Sequence, residues 1–148
     1  MSRAILHATD FSSASGAAFS KAVDMARRER AQLLITHVMM PPMPMMAGDG
    51  YIPPVTWDAI AKGYRRASQK KLDALVRRAK RARARARGLL VEGTPAADAI
   101  VRVARARHAA GIVLGTHGRS GVARVLLGSI ASRVVATARC PVTTVRGR

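Results

Sequence analysis

The stretch GTHGRSGVARVLLGS, residues 115–129, has the residue types and spacing to bind a small anion. It sets Gly115, Gly118 and Gly128 among Thr116, His117, Arg119, Arg124 and Ser129, directly after the apolar run GIVL. Gly118 permits a positive-φ turn with backbone N–H groups pointing inward. Gly128 and Ser129 open a helix whose free N–H groups carry the positive end of its dipole. Arg119 and Arg124 can neutralise phosphate oxygens, and the Ser129 hydroxyl adds a donor. No GK[ST] closes the stretch and GxGxxG is absent, so it is neither a Walker A loop nor a Rossmann fingerprint. On its residues alone it is an anion-binding turn or a tight loop before a capped helix.

Asp10 is the second candidate, in HATDFSSAS after the first apolar run. It either caps the segment that begins at Ser12 or stands at the mouth of a cleft, and its place at a strand's carboxyl end favours the cleft. His117 is a ligand contact or an exposed turn residue. His7 and His37 fall within strands and read as packing against helices, and His108 reads as continuing an apolar helix stripe. No serine–histidine–acid arrangement can be traced, and no second carboxylate is placed to orient a water. A binding protein is expected, not an enzyme, with slow hydrolysis the only catalysis left open.

Those residues need elements to position them, and periodicity supplies an alternating pattern. RAILHAT (3–9) reads as a strand, and Phe19, Ala22, Val23 and Ala26 share one face of a helix over 14–30. QLLITHVM (32–39) is a second strand, apolar on both faces as a central parallel strand should be. The stretch 40–55 holds five prolines and reads as a loop. A long helix is predicted from about 56 to 87, with Leu72, Leu75, Val76, Ala79 and Ala82 inward and Gly88 as its stop. LLVEG (89–93) makes the third strand, and a helix from Pro95 buries Ala97, Ile100, Val101 and Ala104. GIVLGT (111–116) is the fourth strand. A last helix at about 128–138 aligns Ile130, Val134, Val135 and Ala138 before the closing strand VTTV. This alternation predicts a mostly parallel sheet with helices on both faces, and ligands outside the strands' carboxyl ends. The candidate positions are therefore Thr9–Asp10, Val38–Met39 and the opening after the fourth strand.

Composition bounds the partners. At 148 residues with 49% hydrophobic content, the chain fits one folded domain. Its mean hydropathy of +0.04, with no apolar run near the ~20 residues of a membrane span, argues against a membrane protein. No secretory signal is visible, so a cytoplasmic location is expected. The lone Cys140 reads as a buried small hydrophobe. The net charge is +18, and residues 99–148 carry nine arginines and no carboxylate. That excess attracts anions without naming them. RRAKRARARAR (77–87) reads as a solvated helix end with Arg81, Arg83, Arg85 and Arg87 on both sides of the rod. With five aromatics and no nucleic-acid-reading motif, only weak, salt-sensitive adsorption to nucleic acid is expected. MMPPMPMM reads as an apolar lid or dimer contact in preference to a copper(I) site.

GTHGRSGVARVLLGS also fits G-x2-G-x9-G-[ST], with Gly115, Gly118, Gly128 and Ser129 in register, and strongly resembles the ATP-binding motif of the universal stress protein family. ILHATDFSSAS, LLITHV, VEGTPAADAIVRVA and ARCPVTTV resemble other segments of that family in the right order, so the likeness covers 1–148, with 40–55 least alike. The resemblance implies an α/β, Rossmann-like fold of the adenine nucleotide alpha hydrolase type, an open five-stranded parallel sheet of order 3-2-1-4-5 with four helices. It implies a homodimer, through the C-terminal strand 142–145, and ATP or another adenine nucleotide between the first and fourth strands.

Carried over residue by residue, Ala8, Thr9 and Asp10 form the first wall, with Asp10 near the ribose and the phosphate-bound Mg²⁺. Val38 contacts adenine through its backbone. Gly115, Thr116, His117, Gly118 and Arg119 surround ribose and phosphates, and Gly128, Ser129 and Ile130 hold the phosphate chain. Two positions depart from the pattern: Ala8 replaces a common proline, and Ala131 replaces a residue that often supplies a hydroxyl. The expected role is a nucleotide-responsive stress or signalling factor acting through dimer and partner contacts. The competing reading is a nucleotide-independent basic scaffold for acidic partners or nucleic acid.

Overall fold

The computed structural model describes residues 3–40, 53–93, 95–116 and 127–147. Five parallel strands alternate with four helices: β1 Ala4–Ala8, α1 Ala14–Arg28, β2 Gln32–Met39, α2 Pro54–Arg81, β3 Arg85–Glu92, α3 Ala96–Ala106, β4 Ala109–Gly115, α4 Ser129–Thr137 and β5 Val142–Val145. The sheet order is β3-β2-β1-β4-β5, so strand order reverses between β1 and β4. Register places His7 beside Ile35 on one side and Val113 on the other.

Side-chain alternation along the strands divides the core. Ile5, Leu33, Ile35 and Val113 face α1 and α2, where they meet Phe19, Ala22, Val23, Ala26, Leu72 and Ala79. Leu6, Ala8, Ile112 and Leu114 face α3 and α4, against Ile100, Ala104, Ala131 and Val134. Each fully buried aliphatic side chain contributes roughly 1.5–3 kcal/mol. β1 is buried along its whole length, as a strand covered on both faces must be. The α1 stripe read from periodicity is the buried one.

Several boundaries differ from the sequence reading. α2 ends at Arg81, not 87, and β3 starts at Arg85, not 89. Arg85 and Arg87 are therefore strand residues on one side of β3 and do not flank a helical rod. Ala82 is an exposed cap, and Gly88 is no helix stop. It lies within β3, where a Cβ would stand 2.9 Å from Leu72 Cγ, so α2 sits closer to the sheet than any side chain would allow. The helix also starts earlier, with Pro53 as N-cap and Pro54 at the first helical position, where a missing N–H costs nothing. β4 begins at Ala109, two residues early. In α4 the inward residues are Ala131 and Val134, while Ile130 and Val135 are 45% and 49% exposed. His108 is exposed in the turn after α3, and Cys140 is only half-buried, its thiol pushed up by desolvation.

Three helices end in a left-handed residue that is not glycine: Arg30 (φ 54°), Arg83 (φ 62°) and His108 (φ 49°). After α1, Arg30 N–H bonds Arg27 O and Ala31 N–H bonds Ala26 O. After α2, Arg83 N–H bonds Lys80 O and Ala84 N–H bonds Ala79 O. These paired bonds are Schellman closures, a setting where glycine is usual.

Candidate functional site

The residues after β1 form a closed hydrogen-bond network that fixes Asp10. Thr9 N–H continues the sheet ladder to Thr36 O at 2.9 Å. The Ser15 hydroxyl donates to Ser12 O at 2.7 Å, which leaves Thr9 as donor in the 3.1 Å pair between their hydroxyls. Thr9 Oγ1 in turn accepts Phe11 N–H at 3.0 Å, and Phe11 takes a left-handed φ of 63°. Asp10 Oδ1 accepts Ser12 N–H at 2.9 Å and the Ser12 hydroxyl at 2.5 Å. Asp10 thus closes the turn before α1, as its capping reading requires, and it also lines the cleft. Its carboxylate is thus engaged with Ser12 while its side chain stands at the rim of the cleft. Ser12 Oγ accepts Ser15 N–H at 3.3 Å, so the cap of α1 comes from Ser12, while Ser13, at the N-cap position, makes no side-chain bond.

β2 supports this turn from the side. His37 donates from Nδ1 to Thr9 O at 2.8 Å, and its ring lies 4.2 Å from that of Phe11. His37, read from the sequence as packing against a helix, instead packs against this turn and stands in the cleft wall. His7 packs edge-on against Phe19 of α1, as read from sequence. Its Nδ1 donates to Val113 O at 3.1 Å, while burial drives its pKa down from 6.5 to about 4, with the Val113 bond and the Asp10 charge opposing.

The other wall is built after β4. Thr116 N–H bonds Val145 O at 2.9 Å, and Gly128 N–H bonds Thr116 O at 2.6 Å. The two ends of the glycine stretch are therefore held together, and α4 opens beside the end of β4. Its first N–H groups have no intrahelical acceptor, and no acidic residue occupies its first turn. His117, Gly118, Arg119 and Arg124 lie outside the described residues, as does most of the methionine cluster.

Between these walls lies a cleft of about 410 Å³ at the strands' carboxyl ends, where strand order reverses. The structure brings Ala8, Thr9, Asp10, Val38, Gly115, Thr116, Gly128, Ser129 and Ile130 together around it. Every described residue carried over from the family pattern lines this one cleft, whereas Met39, named with Val38 as a strand-end position, is buried and does not. Ala131 lines it too and is buried, so a hydroxyl there would face the same space. The lining also includes Ser15, Thr36, His37, Met40, Tyr64, Ala96, Ile100 and Leu114. Sequence reasoning missed these because all but Met40 come from helices and strands read only for their packing, and Met40 was read as part of an apolar lid or dimer contact.

The cleft has two chemical ends. Ala8, Val38, Ile100 and Leu114 belong to the α3–α4 core cluster and make an apolar wall. Thr9, Asp10, Thr116 and Ser129 make a polar end beside the start of α4. Thr36 lines the cleft fully buried, and its hydroxyl has no partner among the described residues. The volume falls in the ordinary range for small-molecule sites, about 300–1,000 Å³. Among the described residues no cluster of three metal-ligating side chains exists.

Fold and site together define a doubly wound α/β protein with a ligand cleft at its topological switch point. The chain belongs to the Universal stress protein family, whose sequence model matches residues 1–146. It is similar to a universal stress protein of Thermus aquaticus, 34% identical over 99% of this chain and 100% of the relative. Among solved structures it is similar to the universal stress protein UspA from Lactobacillus plantarum, 25% identical, with a TM-score of 0.78 and 97% of each chain covered. A universal stress protein in complex with cAMP is 26% identical, with a TM-score of 0.71 over 99% of this chain and 98% of that one.

Proposed function

We propose that this chain is an adenine-nucleotide-binding protein that takes ATP with Mg²⁺ and relays its occupancy through dimer and partner contacts as a stress or signalling factor. The carrying observation is the convergence of the Asp10 turn, Gly115–Thr116 and the start of α4 on one cleft with an apolar wall. A base fits the wall of Ala8, Val38, Ile100 and Leu114, and the phosphates fit the opening of α4, where N–H groups and the positive dipole end favour anions. The cAMP-bound relative supports an adenine ligand.

The residues fit a metal that arrives with the phosphates. Mg²⁺ is commonly held by one or two carboxylates plus phosphate and water, and Asp10 is the carboxylate lining the cleft. Asp10 would hold the ion, whose part is to neutralise phosphate charge. Among the described residues Asp10 is the one carboxylate lining the cleft, and the reading is of a binding site in which it serves the metal. For the homodimer, β5 stands at the sheet edge with no strand outside it among the described residues. A second copy pairing along 142–145 would satisfy that edge.

The test is to purify the protein without added nucleotide, denature it and identify released nucleotides by mass spectrometry, with calorimetric titration of Mg²⁺–ATP alongside. Release or micromolar binding of an adenine nucleotide is expected. Absence of both released nucleotide and heat of binding refutes the reading.

A further inference from the structure

The pole opposite the cleft carries a repeated basic device. All helices end there and all strands begin there, because the sheet is parallel. At three of those junctions the chain reads ARRERA (26–31), AKRARA (79–84) and ARARHA (104–109). Each begins and ends with a buried alanine, Ala26 with Ala31, Ala79 with Ala84 and Ala104 with Ala109. The four residues between are exposed, and the fourth takes the left-handed conformation. Each turn thus buries its alanines and points its polar residues to solvent, through a Schellman closure after α1 and α2.

Helix dipoles do not account for this charge. A helix C-terminus presents about half a negative charge, so three ends offer about −1.5. The three turns carry eight Lys or Arg and one carboxylate, Glu29, a net of +7. The ion pairs Arg65–Glu92 and Arg133–Asp98 lie elsewhere. Arginine or histidine also occupies the left-handed positions where glycine is usual.

Topology arranges the turns in a row. They feed β3, β2 and β4, which span three strand spacings in the order β3-β2-β1-β4. That is about 15 Å. Arg3 precedes β1 and fills the gap between β2 and β4, and Arg85 begins β3. A duplex carries one negative charge per about 1.7 Å of axis, so a row of this length matches a segment of phosphate backbone. Arginine outnumbers lysine in these turns seven to one, which suits phosphate geometry. Among the described residues the exposed large apolar side chains, such as Met40, Val55, Tyr64 and Val135, lie outside the turns, so the turns carry no insertion element for a lipid surface. No aromatic lies in them for stacking on single strands.

We infer that this pole is a sequence-independent docking surface for the phosphate backbone of double-stranded nucleic acid, separate from the nucleotide cleft. The surface reads charge and spacing, not bases.

The test is fluorescence anisotropy of the full chain with a labelled duplex of about 24 base pairs and scrambled sequence, titrated with salt between about 50 and 200 mM. Wild type should bind with a slope of log K against log salt of about −4 or steeper. Arg30→Gly with Arg83→Gly removes two cations at positions where glycine is conformationally favoured, so the fold and melting temperature should be kept. This pair should weaken binding roughly tenfold and reduce the slope by about two. Lys62→Gln with Arg66→Gln, an equal charge change in the N-terminal half of α2, should have little effect. Equal losses from both pairs would reduce the effect to net charge and overturn the proposal. So would no salt-sensitive binding by wild type, or capture by phosphatidylserine vesicles without capture of the duplex.

Discussion

His37 Nδ1 bonds the carbonyl oxygen of Thr9 at 2.8 Å, which ties the end of β2 to the turn that presents Asp10. The ring of His37 also lies against Phe11, whose left-handed backbone completes that turn. Cleft geometry is therefore set by an interaction across strands, before any ligand arrives. A site held in this way loses little conformational freedom on binding.

Asp10→Asn should separate the two duties of this residue. The amide oxygen can still accept Ser12 N–H, so the turn persists and the melting temperature should move by no more than a few degrees. The charge is lost, and the gain in ATP affinity on adding Mg²⁺ should fall roughly tenfold, a loss of about 1.4 kcal/mol. Calorimetry with and without Mg²⁺ checks this, and an unchanged Mg²⁺ effect would remove Asp10 from the metal role.

Ala131→Ser restores a hydroxyl to a buried position lining the cleft. One added hydrogen bond of about 1 kcal/mol should tighten ATP binding roughly fivefold. Adenosine, which has no phosphate, should bind as before. Competition titrations against both ligands decide it, since equal effects would place Ala131 away from the phosphates.

His7 predicts an acid limb in stability. The folded protein takes up a proton here only near pH 4, while the unfolded chain does so near 6.5. Between these values the unfolded state binds more protons, so stability is full above about pH 6.5 and falls as pH drops towards 4. The slope approaches about 1.4 kcal/mol per pH unit. Denaturant unfolding from pH 7.5 to 4.5 should show this limb, and His7→Leu should flatten it.

Gly88→Ala places a methyl 2.9 Å from Leu72 Cγ and 3.2 Å from Val76 Cγ2. Overpacking of this kind costs roughly 1–3 kcal/mol. A fall in the urea midpoint with an unchanged m-value is expected, and wild-type stability would show that α2 is free to shift.

Periodicity and end signals in the sequence were enough for the element order, the α1 stripe of Phe19, Ala22, Val23 and Ala26, and the alternation that demands a parallel sheet. Side-chain chemistry at strand ends was enough to bring Asp10, Gly115, Thr116, Gly128 and Ser129 to one cleft, because glycine and aspartate announce local backbone geometry. RARAR at 83–87 misled because alanine and arginine are good helix formers. In β3 the period of two prevails, with Ala86 packed towards α2 and Arg85 and Arg87 on the other side, since burial outweighs propensity.

Other facts belong to the tertiary structure alone. Thr36, His37, Tyr64 and Ile100 join the cleft only because strands and helices distant in sequence meet at its rim. Gly128 reaches Thr116 because Val145 anchors the far side of β4. The three basic turns form a row because parallel strands must all start at the same pole. Sequence determines what each segment prefers locally; which segments become neighbours is decided by the shared burial of faces, a property that no single segment possesses.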